Sequence, residues 1–141
     1  MRRKWMALLV GATIGLGILL QVDTGAAQKG KTRLAKTKYL MRGINQPACA
    51  GLGASLKDSG PADDKAWDVA VGQAALLNEA GYLLMDDGRC PDQIWAGAAK
   101  DLREGSSSAL AALEKKDLEG ARTAFKTITA SCATCHKAHK Q

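Results

Sequence analysis

The chain has 141 residues, with 20 Lys+Arg against 14 Asp+Glu and a formal net charge of +6. That length suits one compact domain with a single core. Aromatic residues make up only 4% and the lysines are scattered rather than clustered, which excludes a nucleic-acid-binding surface; the mild basic excess fits a docking face for an acidic protein partner.

In chain order, Met1-Arg2-Arg3-Lys4 is a basic start, and Met6 to Leu20 is apolar and uncharged. Small residues follow at Thr24, Gly25, Ala26 and Ala27. Residues 1–27 therefore read as a secretory signal peptide. The apolar run falls short of the roughly 20 residues that span a bilayer, so an uncleaved anchor is the weaker alternative. Cleavage leaves residues 28–141 as an exported domain with no membrane span. All four cysteines, Cys49, Cys90, Cys132 and Cys135, lie in that domain, and export carries them to an oxidising compartment.

Four segments then show helical periodicity, and none alternates as a strand does. The first places Leu34, Met41, Ile44, Ala48, Leu52 and Leu56 on one face. Pro47 interrupts it, and either kinks the helix, with Gly43 easing the ring's clash, or begins a new one. After Ser59-Gly60-Pro61, Asp63 or Asp64 caps a second helix with Trp67, Val71, Ala74, Leu77, Gly81 and Leu84 inward. Asp86-Asp87-Gly88 ends that helix. Pro91 and Asp92 open the third, with Ile94, Ala98, Leu102, Gly105, Ala109 and Leu113 as its stripe. A short turn, Glu114 to Asp117, leads to the fourth, where Leu118, Ala121, Phe125, Ile128, Cys132 and Cys135 form the inner row. The expected fold is all-α: an antiparallel up-down-up-down four-helix bundle.

The last helix carries Ser131-Cys132-Ala133-Thr134-Cys135-His136-Lys137-Ala138-His139-Lys140. Cys-x-x-Cys-His is the attachment signature of a c-type haem. Two thiols one turn apart meet the two vinyl groups, and the adjacent imidazole lies beneath the iron. A thioredoxin-like dithiol would follow a strand. A zinc site usually gathers its ligands from two separated pairs rather than from Cys132, Cys135, His136 and His139 on one helix. A Cys132–Cys135 disulfide would be strained within a helix. The expected cofactor is one covalent haem c near the C-terminal end of the last helix, held by Cys132 and Cys135 with His136 as proximal iron ligand. The remaining pair, Cys49 and Cys90, is a candidate disulfide. A straight first helix separates the two, whereas a helix beginning at Pro47 brings them to one end of the bundle.

Cys90-Pro91-Asp92-Gln93-Ile94-Trp95, Lys116-Asp117-Leu118-Glu119, Ala124-Phe125 and the haem motif together resemble the class II c-type cytochromes, the cytochrome c-prime family. The likeness covers the C-terminal half by motif and the rest by architecture. It departs from the family pattern by one extra residue between Pro91 and Ile94, and by His139-Lys140 where the family commonly has an aromatic residue then Arg. The resemblance implies that the first helix supplies the residue over the distal haem face, which makes Met41 the distal ligand expected here and Met85 the lesser candidate. It also implies that Trp95 packs on the haem edge and that Lys140 or Arg42 pairs with the propionates. A six-coordinate His136/Met41 iron would make an electron carrier rather than an enzyme, exchanging electrons with donor and acceptor proteins in the periplasm. An iron without Met41 would be five-coordinate and would bind diatomic gases such as nitric oxide or carbon monoxide. A homodimer formed by helix packing is a further expectation from the family.

Overall fold

The computed structural model describes residues 29–140, and the leader segment expected over residues 1–27 lies outside them. The described chain folds as four helices packed together. The first, α1, has three stretches: α-helical Thr37–Leu40, a π-helical turn Met41–Asn45 and α-helical Gln46–Ser55. It is followed by α2 (Asp64–Met85), α3 (Gln93–Glu114) and α4 (Leu118–His139). Each packs on the next in sequence. Among the described residues there is no strand, only an isolated bridge between Lys29 and Lys36. No helix among them is long and apolar enough to cross a membrane.

Local chemistry sets the helix ends. Three aspartates cap the later helices: the Asp63 carboxylate accepts from Ala66 N at 2.8 Å, Asp92 from Trp95 N at 2.9 Å and Asp117 from Gly120 N at 3.0 Å. Each satisfies a backbone donor that the first helical turn cannot, worth about 1 kcal/mol. The turns that follow are made by left-handed residues: Asp58 and Gly60 after α1, Asp87 and Gly88 after α2, and Lys116 after α3.

Pro47 neither breaks α1 nor begins it. The π turn immediately before it resolves the alternatives, with Gln46 N donating to Met41 O five residues back. A proline ring clashes with the carbonyl four residues earlier and offers no N–H; a widened turn just upstream relieves that clash while the helix continues. The extra residue rotates the inward register. Asn45 is buried in the place expected of Ile44, which is only half-buried.

The core combines Leu52, Leu77, Leu102, Leu113 and Ile128 with the small residues Ala70, Ala74, Ala109 and Ala121. Each large side chain contributes on the order of 2 kcal/mol by leaving water, and the alanines let the helix axes approach. Two residues expected on inner stripes face outward. Leu34 is 84% exposed because the chain there is extended and α1 begins only at Thr37. Ile94 is 51% exposed because Trp95, next to it, takes the inward position at 8%.

The extended segment before α1 lies over the α2–α3 connection. Asp87 accepts hydrogen bonds from Thr32 N, Thr32 Oγ1 and Arg33 N, at 2.9–3.1 Å. Lys31 N donates to Asp87 O, and Arg33 pairs with Asp86 at 2.7 Å. Arg89, buried beneath this segment, donates from Nη2 to Ala35 O.

Candidate functional site

The C-terminal end of α4 carries the motif, and helical spacing sets which way its side chains face. Cys135 is buried at 9% exposure and belongs to the core, Cys132 is half-buried one turn earlier, and His136 is exposed. Cys132 and His136 are four residues apart and Cys135 lies between them on the inner side, so both sulfurs and the imidazole share one flank of the helix.

Each group has its acidity set by its surroundings. The hydrogen bond with Cys49 brings the Cys132 thiol down to about 7, and Ser131 and the backbone act in the same sense. Cys49, the partner in that bond, is pushed up by it and by burial. Burial, with the charges of Cys132 and Asp92, raises Cys135 to about 11. His136 is lowered by partial burial and by Lys140, which favours the neutral imidazole that a metal ion requires.

His139, one turn beyond Cys135, lies against α3. Its ring meets Trp95 edge-on with centroids 5.3 Å apart, and Nε2 stands 3.4 Å from Asp92 Oδ1. That is ion-pair distance without hydrogen-bond geometry, so Nε2 has no hydrogen-bond partner. Trp95 Nε1 donates to Leu84 O at 2.8 Å.

From α1, Cys49 reaches Cys132, as their shared hydrogen bond shows. The candidate Cys49–Cys90 disulfide is not formed: all four cysteines are free thiols, and the Cys90 thiol turns to Asp92 O at 3.4 Å. The physical reason lies in the unbroken α1, which points Cys49 across the bundle to α4. Asn45, one turn before Cys49, is buried with its Oδ1 lacking a hydrogen-bond partner. Met41, a further turn back, is half-buried against the core, as is Met85 at the end of α2. Arg42 and Lys140 are exposed. Tyr82, 54% exposed, stacks under the Arg103 guanidinium at 4.8 Å.

The donor set fits a c-type haem. Two sulfurs stand one turn apart with an imidazole beside them, and two buried polar atoms of this end of the bundle, Asn45 Oδ1 and His139 Nε2, are unsatisfied by the chain itself. A zinc cage fits less well: among the described residues no group of three or more His, Cys, Asp or Glu side chains is gathered so as to hold a metal ion. A haem needs no such group from the chain.

Sequence reasoning missed Asn45 and the meeting of Cys49 with Cys132. Both depend on the phase shift at the π turn, for which the residue pattern carries no signal beyond Pro47 itself. No family model, curated protein or solved structure matches this chain.

Proposed function

We propose that the protein is an exported monohaem c-type cytochrome that transfers single electrons in the periplasm, its haem held by Cys132 and Cys135 with His136 as proximal and Met41 as distal iron ligand. The observation that carries this reading is the Cys-x-x-Cys-His motif on the last helix of a bundle, with Cys135 buried and Cys132 half-buried on one flank. Haem iron supplies a one-electron couple whose potential a thioether ligand raises.

The chain's own residues do the rest. Cys132 and Cys135 bind by forming thioethers, and His136, kept neutral by its surroundings, offers a nitrogen lone pair. Trp95 and His139 form the wall on the α3 side. Packed helices exclude water and hold the site still between redox states. The antiparallel order of the four helices belongs to this reading too; it is supported by the contact of Arg122, near the start of α4, with the Leu56 carbonyl at the end of α1, and by that of His139, at the end of α4, with Asp92 at the start of α3. Arg42 and Lys140 are the cations assigned to the propionates. Residues 1–27 supply the export signal, and acidic redox proteins are the partners that the basic surface suits.

A second reading is a haem protein that would bind a diatomic gas at an iron left without Met41, with Asn45, buried one turn away, among the residues that would line the site. Visible spectra of the haem-loaded protein, oxidised, reduced, and reduced with carbon monoxide, decide between the two. Sharp reduced bands, a weak methionine–iron(III) charge-transfer band and no response to carbon monoxide are expected for the electron carrier. Broad high-spin bands that shift with carbon monoxide would replace it with the gas-binding protein, and a chain with no covalent haem would overturn both.

A further inference from the structure

Cys49 is the one thiol at the motif that covalent haem attachment does not use. Three contacts between α1 and α4 fix where it lies. Arg122 Nε donates to Leu56 O at 2.9 Å. One turn further along both helices, α1 has Gly53 facing Phe125, so closely that a Cβ there would come within 2.9 Å of the ring's Cζ. Further toward the same end, one turn along α1 and two along α4, stands the hydrogen bond between Cys49 and Cys132. The thiol pair therefore lies on the seam along which α1 and α4 already meet. A disulfide needs its Cα atoms within about 7 Å, and helix packing already holds these two thiols in hydrogen-bond contact.

The other pairings are worse placed. Cys132 and Cys135 belong to one regular helix, whose backbone resists the geometry of a bridge. Cys90 turns to the Asp92 carbonyl.

We propose that in the haem-free chain Cys49 and Cys132 are the pair that oxidises to a disulfide. Cys132 then has two mutually exclusive covalent fates: a bond to Cys49 or, resting on the haem reading above, a thioether to the cofactor. The oxidant is a small-molecule disulfide or an oxidised protein dithiol. The Cys132 thiolate attacks one sulfur of that disulfide, forming a mixed disulfide and releasing one thiol. The Cys49 thiolate then attacks the Cys132 sulfur and releases the second. One protein S–S bond forms, one oxidant S–S bond breaks, and the two thiol protons leave on the two released thiols.

The test uses the full chain produced without haem, fully reduced, then treated with oxidised glutathione. Free thiols are trapped with iodoacetamide, and the chain is digested and mapped by mass under non-reducing conditions. The expected result is one linked peptide pair joining Cys49 to Cys132, with Cys90 and Cys135 alkylated. The same link is expected in Cys90→Ser, and its complete loss with renewed alkylation of Cys132 in Cys49→Ser. A Cys132–Cys135 bridge, a Cys49–Cys90 bridge, or four alkylated cysteines would each overturn the proposal. Covalent haem is assayed separately in periplasmically matured protein. Its absence there would sink the haem reading, while the peptide map stands or falls alone.

Discussion

At Cys132 the hydrogen bond from Cys49 favours the thiolate more than partial burial opposes it, so the group titrates near 7, whereas Cys135 is raised to about 11. At neutral pH about half of Cys132 is thiolate and only on the order of one Cys135 in ten thousand. A more basic thiolate is the better nucleophile, which cuts that advantage to about 100-fold. Iodoacetamide should therefore label Cys132 of the reduced, haem-free chain about two orders of magnitude faster than Cys135. Because the reactive form is the deprotonated one, lowering the pH from 7 to 5 should slow Cys132 by about 50-fold in all. Equal rates by peptide mass mapping would show that the shared hydrogen bond does not persist in solution. Met41 is tested at the same scale in the haem-loaded protein. Met41→Ala should convert a low-spin spectrum to a high-spin one and open the iron to carbon monoxide, and an unchanged spectrum would remove Met41 from the iron.

Helix ends were legible where a single side chain makes the cap. Asp63, Asp92 and Asp117 each precede a periodic apolar row and accept from the backbone three residues on, so the starts of α2, α3 and α4 follow from the residues alone. Helix 1 resisted because Pro47 admits several local solutions, of which the chain adopts the π turn. Ile94 and Trp95 show a similar limit: both are apolar neighbours, and the inward position goes to the one whose Nε1 reaches Leu84 O. That carbonyl belongs to the last turn of α2, where no intrahelical donor remains. Trp95→Phe should leave it unsatisfied in a buried place and lower the unfolding free energy by about 1–3 kcal/mol, read by denaturant titration; a change within a few tenths would mean that water replaces the indole. Asp87 makes an analogous case for the segment before α1. Its left-handed backbone, at φ 57°, is one that a short polar residue tolerates, and its carboxylate gathers three donors. The Arg33 amide holds this carboxyl below its ordinary value. A depressed folded pKa means that the contribution is present above the ordinary aspartate range and lost as the pH falls through it and below. Asp87→Ala should accordingly speed tryptic cleavage after Lys31 and Arg33, and acidification should release the Thr32 and Arg33 amides to hydrogen exchange. Unchanged cleavage and exchange would show that Arg89 and Asp86 suffice.

For the whole molecule, the arrangement of four amphipathic helices followed from periodicity and short connections, but the residue-level pairing of the first helix with the last did not. These helices lie at opposite ends of the chain, and local sequence carries no term for a contact between them. Closing that contact covalently has a calculable consequence. A bond from Cys49 to Cys132 ties a loop of about 80 residues, so it restricts the unfolded ensemble far more than the native one. Loop entropy alone gives an upper value of about 4.5 kcal/mol, and measured bridges more often give 2–4. The native cost should be small because the thiols already share a hydrogen bond. Oxidised haem-free chain should therefore unfold at higher denaturant concentration than reduced chain, by about 2–4 kcal/mol, with the difference abolished in Cys49→Ser and retained in Cys90→Ser. The denaturant slope should also fall on oxidation, since a cross-linked unfolded chain exposes less surface. Equal midpoints for the oxidised and reduced forms would mean that forming the bond strains α1 against α4 by as much as it restrains the unfolded chain.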